Sequence, residues 1–284
     1  MIVVCITSWI KRVFNVKPVV ESIMKNTLQP DRIYLSFSIE EFQNKEFDLP
    51  KDLVDYFNSD ERLIINWVDG ENTKCMKKVF PILKYLNDDD IIIPIDDDSI
   101  YPFDYIEKRI EEYNTHHQPI TGLNSHKKSY IYRNYKMLYN IGSSCLFTKK
   151  MIEHWEEYVD EKILKSNNDD TCYAILEWLN GYTPQACKYN SIDDIRRTSS
   201  YNEIEPSGKL KRYTDGDELV KLHNIRINEL TGLDYKNSFN FYNKKTTKSN
   251  KNNNIVKIRE GIKNGTIVKE YKSDGTYIWK KVIK

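Results

Sequence analysis

Short runs of β-branched and other apolar residues alternate with amphipathic segments through the first hundred residues of the chain. The apolar runs, each predicted as a strand, are residues 2–6, 32–37, 63–68 and 91–95. The amphipathic segments, each predicted as a helix, are residues 16–28, 51–57 and 76–86, the last bent at Pro81. Strands that alternate with helices pair in parallel. The pattern therefore predicts a doubly wound α/β sheet that binds ligands beyond the carboxyl ends of its strands.

The alternation is less regular after residue 102. Helices are predicted at residues 104–114, 151–159 and 171–179, and strands at residues 119–123 and 144–147. Residues 243–254 consist of Lys, Thr, Ser and Asn and are predicted as a linker, because they have nothing to bury. Three short strands around an Asn-Gly and an Asp-Gly turn follow, at residues 255–258, 266–271 and 276–283. We therefore expect one catalytic domain at residues 1–242, the linker, and a small β-meander at residues 255–284.

Charge is distributed unevenly along the chain, which has 43 basic and 42 acidic residues. Residues 243–284 contain 12 Lys and Arg against 3 Asp and Glu, so the acidic excess lies in the body of the protein. A mildly acidic body suits an enzyme that binds a cation, and no nucleic-acid partner is expected. The basic tail has two interpretations: a surface that meets an anionic membrane face, or a solvated tail that aids solubility.

The cysteines and the apolar segments indicate the compartment. The five cysteines are widely spaced, with no CxxC pair and no close histidine that would indicate zinc, and are interpreted as reduced core residues. The apolar run at the N-terminus is too short for a signal peptide, and no stretch reaches the roughly 20 apolar residues that span a membrane. We expect a cytoplasmic protein, with peripheral attachment to the inner face of the cell membrane if the tail binds lipid.

Three carboxylates, Asp96, Asp97 and Asp98, directly follow the fourth predicted strand. Unpaired charge at the end of a buried strand is costly unless a cation or strong hydrogen-bond donors compensate it. Mg²⁺ or Mn²⁺ would do so with one or two carboxylates, completing its ligands with water and phosphate oxygens. Residues 88–90 are equally acidic but precede the strand, which is typical of an exposed turn. A solvated turn is also the alternative interpretation of the triplet.

Several short stretches carry a resemblance to a known family. They are residues 6–8 with Lys11-Arg12, residues 21–23 with residues 29–33, Lys77-Lys78 with Pro81, residues 95–102 (IDDDSIYP), and residues 168–170 with residues 178–181. In these stretches, spread over roughly residues 1–230, the sequence resembles the small bacterial GT-A glycosyltransferases of polysaccharide and lipopolysaccharide assembly, a family-2-like group with a DxD motif. The tail lies outside the resemblance.

The resemblance implies a GT-A fold, with a nucleotide-binding half at about residues 1–102 and an acceptor half at about residues 103–242. It implies a hexosyltransferase that uses Mn²⁺ or Mg²⁺ and a nucleotide-diphosphate sugar, a UDP-sugar first among them, and a glycan or lipid-linked acceptor. Its DxD pair corresponds to Asp96 and Asp98, which would hold the metal, with Asp96 and Asp97 beside the nucleotide. The other residues that it places at the nucleotide or its phosphates are Thr7, Arg12 and Lys78.

Each of these positions also has a structural interpretation. Arg12 and Lys78 have the charge to neutralise a diphosphate, but surface cations are equally common. Thr7 is also suited to capping the loop after the first strand.

The resemblance also assigns residues late in the chain. Asp169-Asp170 matches the family's acidic pair beside the acceptor, with Asp170 as the general base and Asp169 as the alternate, while a helix cap is the structural alternative. His223 corresponds to a late histidine that completes the metal site in many members, and an ordinary lone histidine is its alternative.

Two other functions compete with an inverting sugar transfer. A nucleotidyltransferase shares the sheet and the carboxylates but needs a glycine-rich phosphate loop after the first strand, and residues 6–12 contain no glycine. A catalytically inactive nucleotide- or carbohydrate-binding protein would not need to keep both Asp96–Asp98 and Asp169-Asp170.

Overall fold

The computed structural model describes residues 1–121, 145–165, 168–182, 184–187, 196–197, 222–223, 225–226, 229–230, 267–271 and 277–281. Among these residues, no helix has the length and apolar character needed to cross a bilayer.

A five-stranded sheet forms the centre of the described structure. Its strands are β1 (Ile2–Thr7), β2 (Arg32–Ser38), β3 (Leu63–Val68), β4 (Ile91–Pro94) and β7 (Phe147–Thr148), in the order β3-β2-β1-β4-β7. The first four run parallel, and β7 pairs antiparallel with β4 at the edge. The order reverses direction between β1 and β4, which defines the topological switch point where open α/β sheets bind ligands.

The helices connect the strands and cover the sheet. They are α1 (Val16–Met24), α2 (Lys51–Asn58), α3 (Tyr105–His116), α4 (Trp155–Tyr158), α5 (Glu161–Lys165) and α6 (Asp169–Leu179). Short 3₁₀ helices lie at Val13–Asn15, Lys45–Asp48, Lys74–Lys78, Phe80–Tyr85 and Lys149–Ile152.

Side chains that alternate along β1 divide the core in two. Val4 and Ile6 pack with α1, α2 and the start of α3. Val3 and Cys5 pack on the opposite face with the 3₁₀ helices after β3 and with α6. Both faces of the sheet are therefore covered, which confirms the predicted doubly wound α/β class and explains why β1 is apolar throughout.

Three predicted helices differ from the structure, and the first of them, predicted over residues 16–28, ends at Met24. Residues 76–86 lie in two 3₁₀ helices rather than one bent α-helix, since Pro81 has no N–H to donate to the Lys77 carbonyl as a continuous α-helix would require. Residues 151–159 are interrupted at His154, which has a left-handed φ of 58° and separates a 3₁₀ helix from α4.

Short strand pairs complete the described structure. They are β5 (Ser99–Ile100) with β9 (Arg196–Arg197), β6 (Ile120–Thr121) with β8 (Gln185–Ala186), and β10 (Ile267–Tyr271) with β11 (Tyr277–Lys281). The antiparallel β10–β11 pair matches two of the three strands predicted for the tail. The third, at residues 255–258, and the linker at residues 243–254 lie outside the described residues.

Candidate active site

The loops that follow β1 and β4 lie side by side at the switch point, because these two strands are neighbours in the sheet. Arg12, in the loop after β1, contacts two members of the aspartate triplet. Its Nη1 atom lies 3.0 Å from Asp97 Oδ1 and 3.0 Å from Asp98 Oδ2. The side chain of Arg12 is only 16% exposed. Arg12 is therefore a half-buried ion-pair partner of the triplet and not a solvated surface cation.

Two serines complete the hydrogen bonds of these carboxylates. Ser8 Oγ donates to Asp97 Oδ2 at 2.6 Å, and Ser99 Oγ donates to Asp98 Oδ1 at 3.0 Å. Burial raises the pKa of Asp97 to about 6, against the Arg12 charge and the Ser8 hydrogen bond, which favour the ionised form. Asp97 is thus held by Ser8 and Arg12 of the loop after β1, whereas Asp96 contacts Lys78.

Lys78 joins the triplet to the acidic pair of α6. Its Nζ atom lies 2.9 Å from Asp96 Oδ1 and 3.1 Å from Asp169 Oδ2, and its side chain is 4% exposed. Burial opposes the charge of Lys78, but Asp169 and Asp96 outweigh it and hold the pKa of Lys78 well above its usual value. One ammonium group therefore brings together two carboxylates that are far apart in the sequence.

Two tyrosines, Tyr101 and Tyr105, lie next to the backbone of the triplet. The Asp96 N–H donates to the Tyr101 hydroxyl at 2.9 Å, and the Tyr101 ring packs edge-on against Tyr105 of α3, with ring centroids 4.6 Å apart. Both tyrosines are buried. Tyr101 thus links the backbone of Asp96 to the start of α3.

The cap of α6 distinguishes between the two interpretations of its acidic pair. Asn168 Oδ1 accepts a hydrogen bond from the backbone N–H of Thr171 at 2.9 Å, which is the N-cap interaction of this helix. Asp169 is buried against Lys78, and Asp170 is half-buried beside it. Asn168 therefore caps α6, so the capping role suggested for Asp169 and Asp170 is filled by another residue.

Thr7 and His223 each form a hydrogen bond with a neighbouring part of the fold. The Thr7 hydroxyl donates to the Ser36 carbonyl at 2.7 Å and joins the ends of β1 and β2. His223 is buried, stacks on Tyr158 and hydrogen-bonds the Tyr158 hydroxyl through Nδ1. Burial lowers the pKa of His223 to about 3, so the ring is neutral.

The described residues contain no group of three or more His, Cys, Asp or Glu side chains arranged around one metal position. Accordingly, the structure does not bring His223 together with Asp96 and Asp98 as three ligands. A cation shared with a diphosphate needs only one or two protein carboxylates, however, and Asp96 and Asp98 offer the hard oxygen donors that Mg²⁺ and Mn²⁺ take. The donor set therefore fits a cation that is held jointly with a phosphate ligand.

Ser8, Tyr101 and Lys77 lie in the stretches that carry the resemblance, but no role at the site was assigned to them from the sequence. Ser8 and Tyr101 follow strands whose carboxyl ends meet at the switch point, which is the signal that was available. Lys77 is 2% exposed, and its Nζ donates to Asn72 Oδ1 at 3.1 Å. Burial lowers the pKa of Lys77, although Glu41 and Asp97 favour its charge.

The sheet order, the two covered faces and the charged cluster at the switch point define a Rossmann-like α/β protein of the GT-A-like kind. Neither a family model nor a curated protein matches the chain. Among solved structures, residues 1–349 of S. aureus TarS in complex with UDP-GlcNAc align with a TM-score of 0.53 at 13% identity, over 80% of this chain and 66% of that chain. The same TarS residues in complex with UDP align with a TM-score of 0.50 at 12% identity, over 84% of this chain and 74% of that chain.

A structure of 4-diphosphocytidyl-2C-methyl-D-erythritol synthase from Anaerococcus prevotii DSM 20548 aligns with a TM-score of 0.45 at 15% identity, over 72% of this chain and 92% of that chain. The chain spans just under two thirds of the TarS chain that carries UDP-GlcNAc. At identities this low, the likeness to TarS establishes the fold, which agrees with the fold expected from the sequence.

Proposed function

We propose that this protein is a divalent-cation-dependent glycosyltransferase that moves a sugar from a nucleotide-diphosphate sugar, a UDP-sugar in the first instance, to a glycan or lipid-linked acceptor. The structures of TarS with UDP-GlcNAc and with UDP, on the same kind of fold, support a nucleotide-sugar donor. We further propose that the transfer inverts the anomeric configuration of the sugar. The reaction would take place in the cytoplasm during assembly of a bacterial surface polysaccharide.

The observation that carries the proposal is the Lys78 ammonium between Asp96 and Asp169. It unites a carboxylate from the end of β4 with one from the start of α6 at the switch point. A transferase needs two such groups, because one side of the reacting carbon must hold the leaving diphosphate and the other must activate the acceptor hydroxyl. A carboxylate in a merely solvated turn would not share a buried lysine with a distant carboxylate, as Asp96 does with Asp169.

In this proposal Asp96 and Asp98 hold the cation. When bound, the cation would act as a Lewis acid that stabilises the leaving diphosphate. Arg12 and Lys78 hold the carboxylates in place, since each lies within 3.1 Å of two of the aspartates at the site. Asp170 removes the proton of the acceptor hydroxyl, while Asp169 is engaged with Lys78.

The first test asks which nucleotide the protein binds. Melting temperatures measured with UDP-, GDP- and CMP-sugars, each with and without Mn²⁺, should rise for the donor, because a ligand that binds only the folded state stabilises it. Transfer or hydrolysis of that sugar in the presence of Mn²⁺ should follow. If no nucleotide sugar raises the melting temperature or is turned over, the proposed function is wrong.

Asp98→Asn tests the cation. The amide keeps the size of the side chain but removes one carboxylate ligand, so we expect Mn²⁺-dependent UDP binding and transfer to be lost while the far-UV spectrum stays unchanged. Asp88→Asn is the matched control, because Asp88 is exposed and precedes β4. Undiminished transfer by Asp98→Asn would refute the assignment.

A further inference from the structure

Arg12, Lys77 and Lys78 are cations near the switch point whose side chains the structure describes, and they have different partners. Arg12 contacts Asp97 and Asp98, and Lys78 contacts Asp96 and Asp169. Lys77 has the neutral Asn72 side chain as its hydrogen-bond partner, and no carboxylate of the described residues lies within ion-pair distance of its ammonium. Lys77 is nevertheless among the buried residues of the protein.

Lys77 and Lys78 leave the 3₁₀ helix Lys74–Lys78 on different sides. With three residues per turn, neighbouring side chains leave such a helix about 120° apart. Lys78 therefore reaches the carboxylates, while Lys77 points to the loop around Asn72. Both remain beside the acidic cluster, since the charges of Asp97 and Lys78 both act on Lys77.

Hydrogen bonds connect the surroundings of Lys77 to the loop after β1. Asn72 Nδ2 donates to Glu41 Oε2 at 3.1 Å, and the Asn72 backbone N–H donates to Glu40 Oε2 at 2.6 Å. The other oxygen of Glu41, Oε1, accepts the backbone N–H of Ile10 at 3.1 Å, which ties this network to the loop after β1. Lys77 is thus held beside the segment that carries Arg12.

A buried ammonium without a contacting anion is unfavourable. The Lys77 ammonium has three N–H donors, and one of them is used by Asn72 Oδ1. We propose that Lys77 binds a phosphate group of the nucleotide-diphosphate donor, whereas Lys78 serves the carboxylates. This assignment rests on the proposed function and specifies which cation takes the donor's phosphate. A phosphate oxygen would supply a contacting anion, which no described residue provides, and an acceptor for the remaining N–H donors of Lys77.

The test compares UDP with uridine, which lacks the phosphates. Isothermal titration of the full chain should give a UDP affinity about 10- to 100-fold lower for Lys77→Met than for the wild type, with an unchanged uridine affinity. The loss should persist with and without Mn²⁺, because Lys77 acts on the phosphate directly. Lys84→Met is the matched control, since Lys84 is exposed in the next 3₁₀ helix.

Lys77→Gln repeats the experiment with a polar side chain, should the methionine variant fold poorly. Equal UDP affinity in wild type and in a folded Lys77 variant would overturn the inference while leaving sugar transfer standing. Parallel losses of UDP and uridine would also overturn it, because they would indicate a structural role. A wild-type protein that binds neither UDP nor inorganic pyrophosphate would overturn both this inference and the proposed function.

Discussion

The two carboxylates that begin α6 have different surroundings. Asp169 is buried and lies 3.1 Å from Lys78 Nζ, whereas Asp170 is half-buried. A general base must reach the acceptor hydroxyl, and a buried carboxylate is less accessible to that hydroxyl than a half-buried one. This difference favours Asp170 as the base and Asp169 as a residue that positions Lys78.

Asp170→Asn should lower kcat by about 10²–10⁴-fold and leave UDP affinity nearly unchanged, because the amide cannot accept a proton while the donor side of the site is intact. Steady-state kinetics with a saturating donor provides the measurement. Asparagine would be harmless at a capping position, so an unaltered kcat would favour a structural role for Asp170. NMR of the first product checks the mechanism separately, since retained anomeric configuration would exclude a single displacement.

At the scale of the elements, α6 depends on Asn168 for its first turn. The Asn168 side chain accepts the Thr171 N–H, and the helix then presents Asp169 to Lys78. The cap and the acidic pair are therefore adjacent but separate residues. A helix that frayed here would release Asp169 from the buried ammonium.

Asn168→Ala should destabilise the protein by about 1 kcal/mol, the usual effect of losing an N-cap. In a domain of this size that corresponds to a melting temperature lower by about 2–4 °C, measurable by differential scanning calorimetry. Asn168→Asp keeps a capping oxygen and serves as the control. A melting temperature that does not change in Asn168→Ala would mean that the cap contributes nothing to stability.

Pro81 changes the helix type of the segment that follows β3. A regular helix over residues 76–86 was expected from its apolar spacing, but Pro81 separates it into two short pieces. In the first piece, Lys77 contacts Asn72, whereas Lys78 contacts Asp96 and Asp169. The spacing of apolar residues cannot reveal such a change, because both helix types bury a similar face.

At the scale of the whole molecule, the acidic body and the basic tail raise the question of membrane contact. Of residues 243–284, the structure describes β10 and β11, which form an antiparallel pair. We propose that the basic residues of this tail bind the anionic inner face of the membrane, where the acceptor would be presented. Each Lys or Arg near such a surface contributes about 1 kcal/mol, and salt weakens the attraction.

The tail is best tested without removing its strands. Four lysines of the predicted linker can be changed to glutamine together: Lys244, Lys245, Lys248 and Lys251. The variant should bind vesicles that contain anionic lipid more weakly than the wild type, with a reduced dependence on salt, and should keep its turnover of a soluble acceptor. Sedimentation with anionic and with zwitterionic vesicles provides the measurement and its control. Equal binding by both proteins would leave the tail as a solubility element.

The sequence by itself determined the sheet and the place of the site. Strands β1, β2, β3 and β4 were predicted within a residue of their observed ends, because buried parallel strands are continuous apolar runs. The aspartate triplet was located for the same reason, since residues after such strands gather at one edge of the sheet. Tertiary structure alone decided the contacts between distant segments. Lys78 between Asp96 and Asp169, Arg12 against Asp97 and Asp98, and His223 beside Tyr158 all depend on how separate loops and helices dock. A local pattern specifies the conformation of its own residues, whereas the partner of a buried charge is specified only when the chain has folded around it.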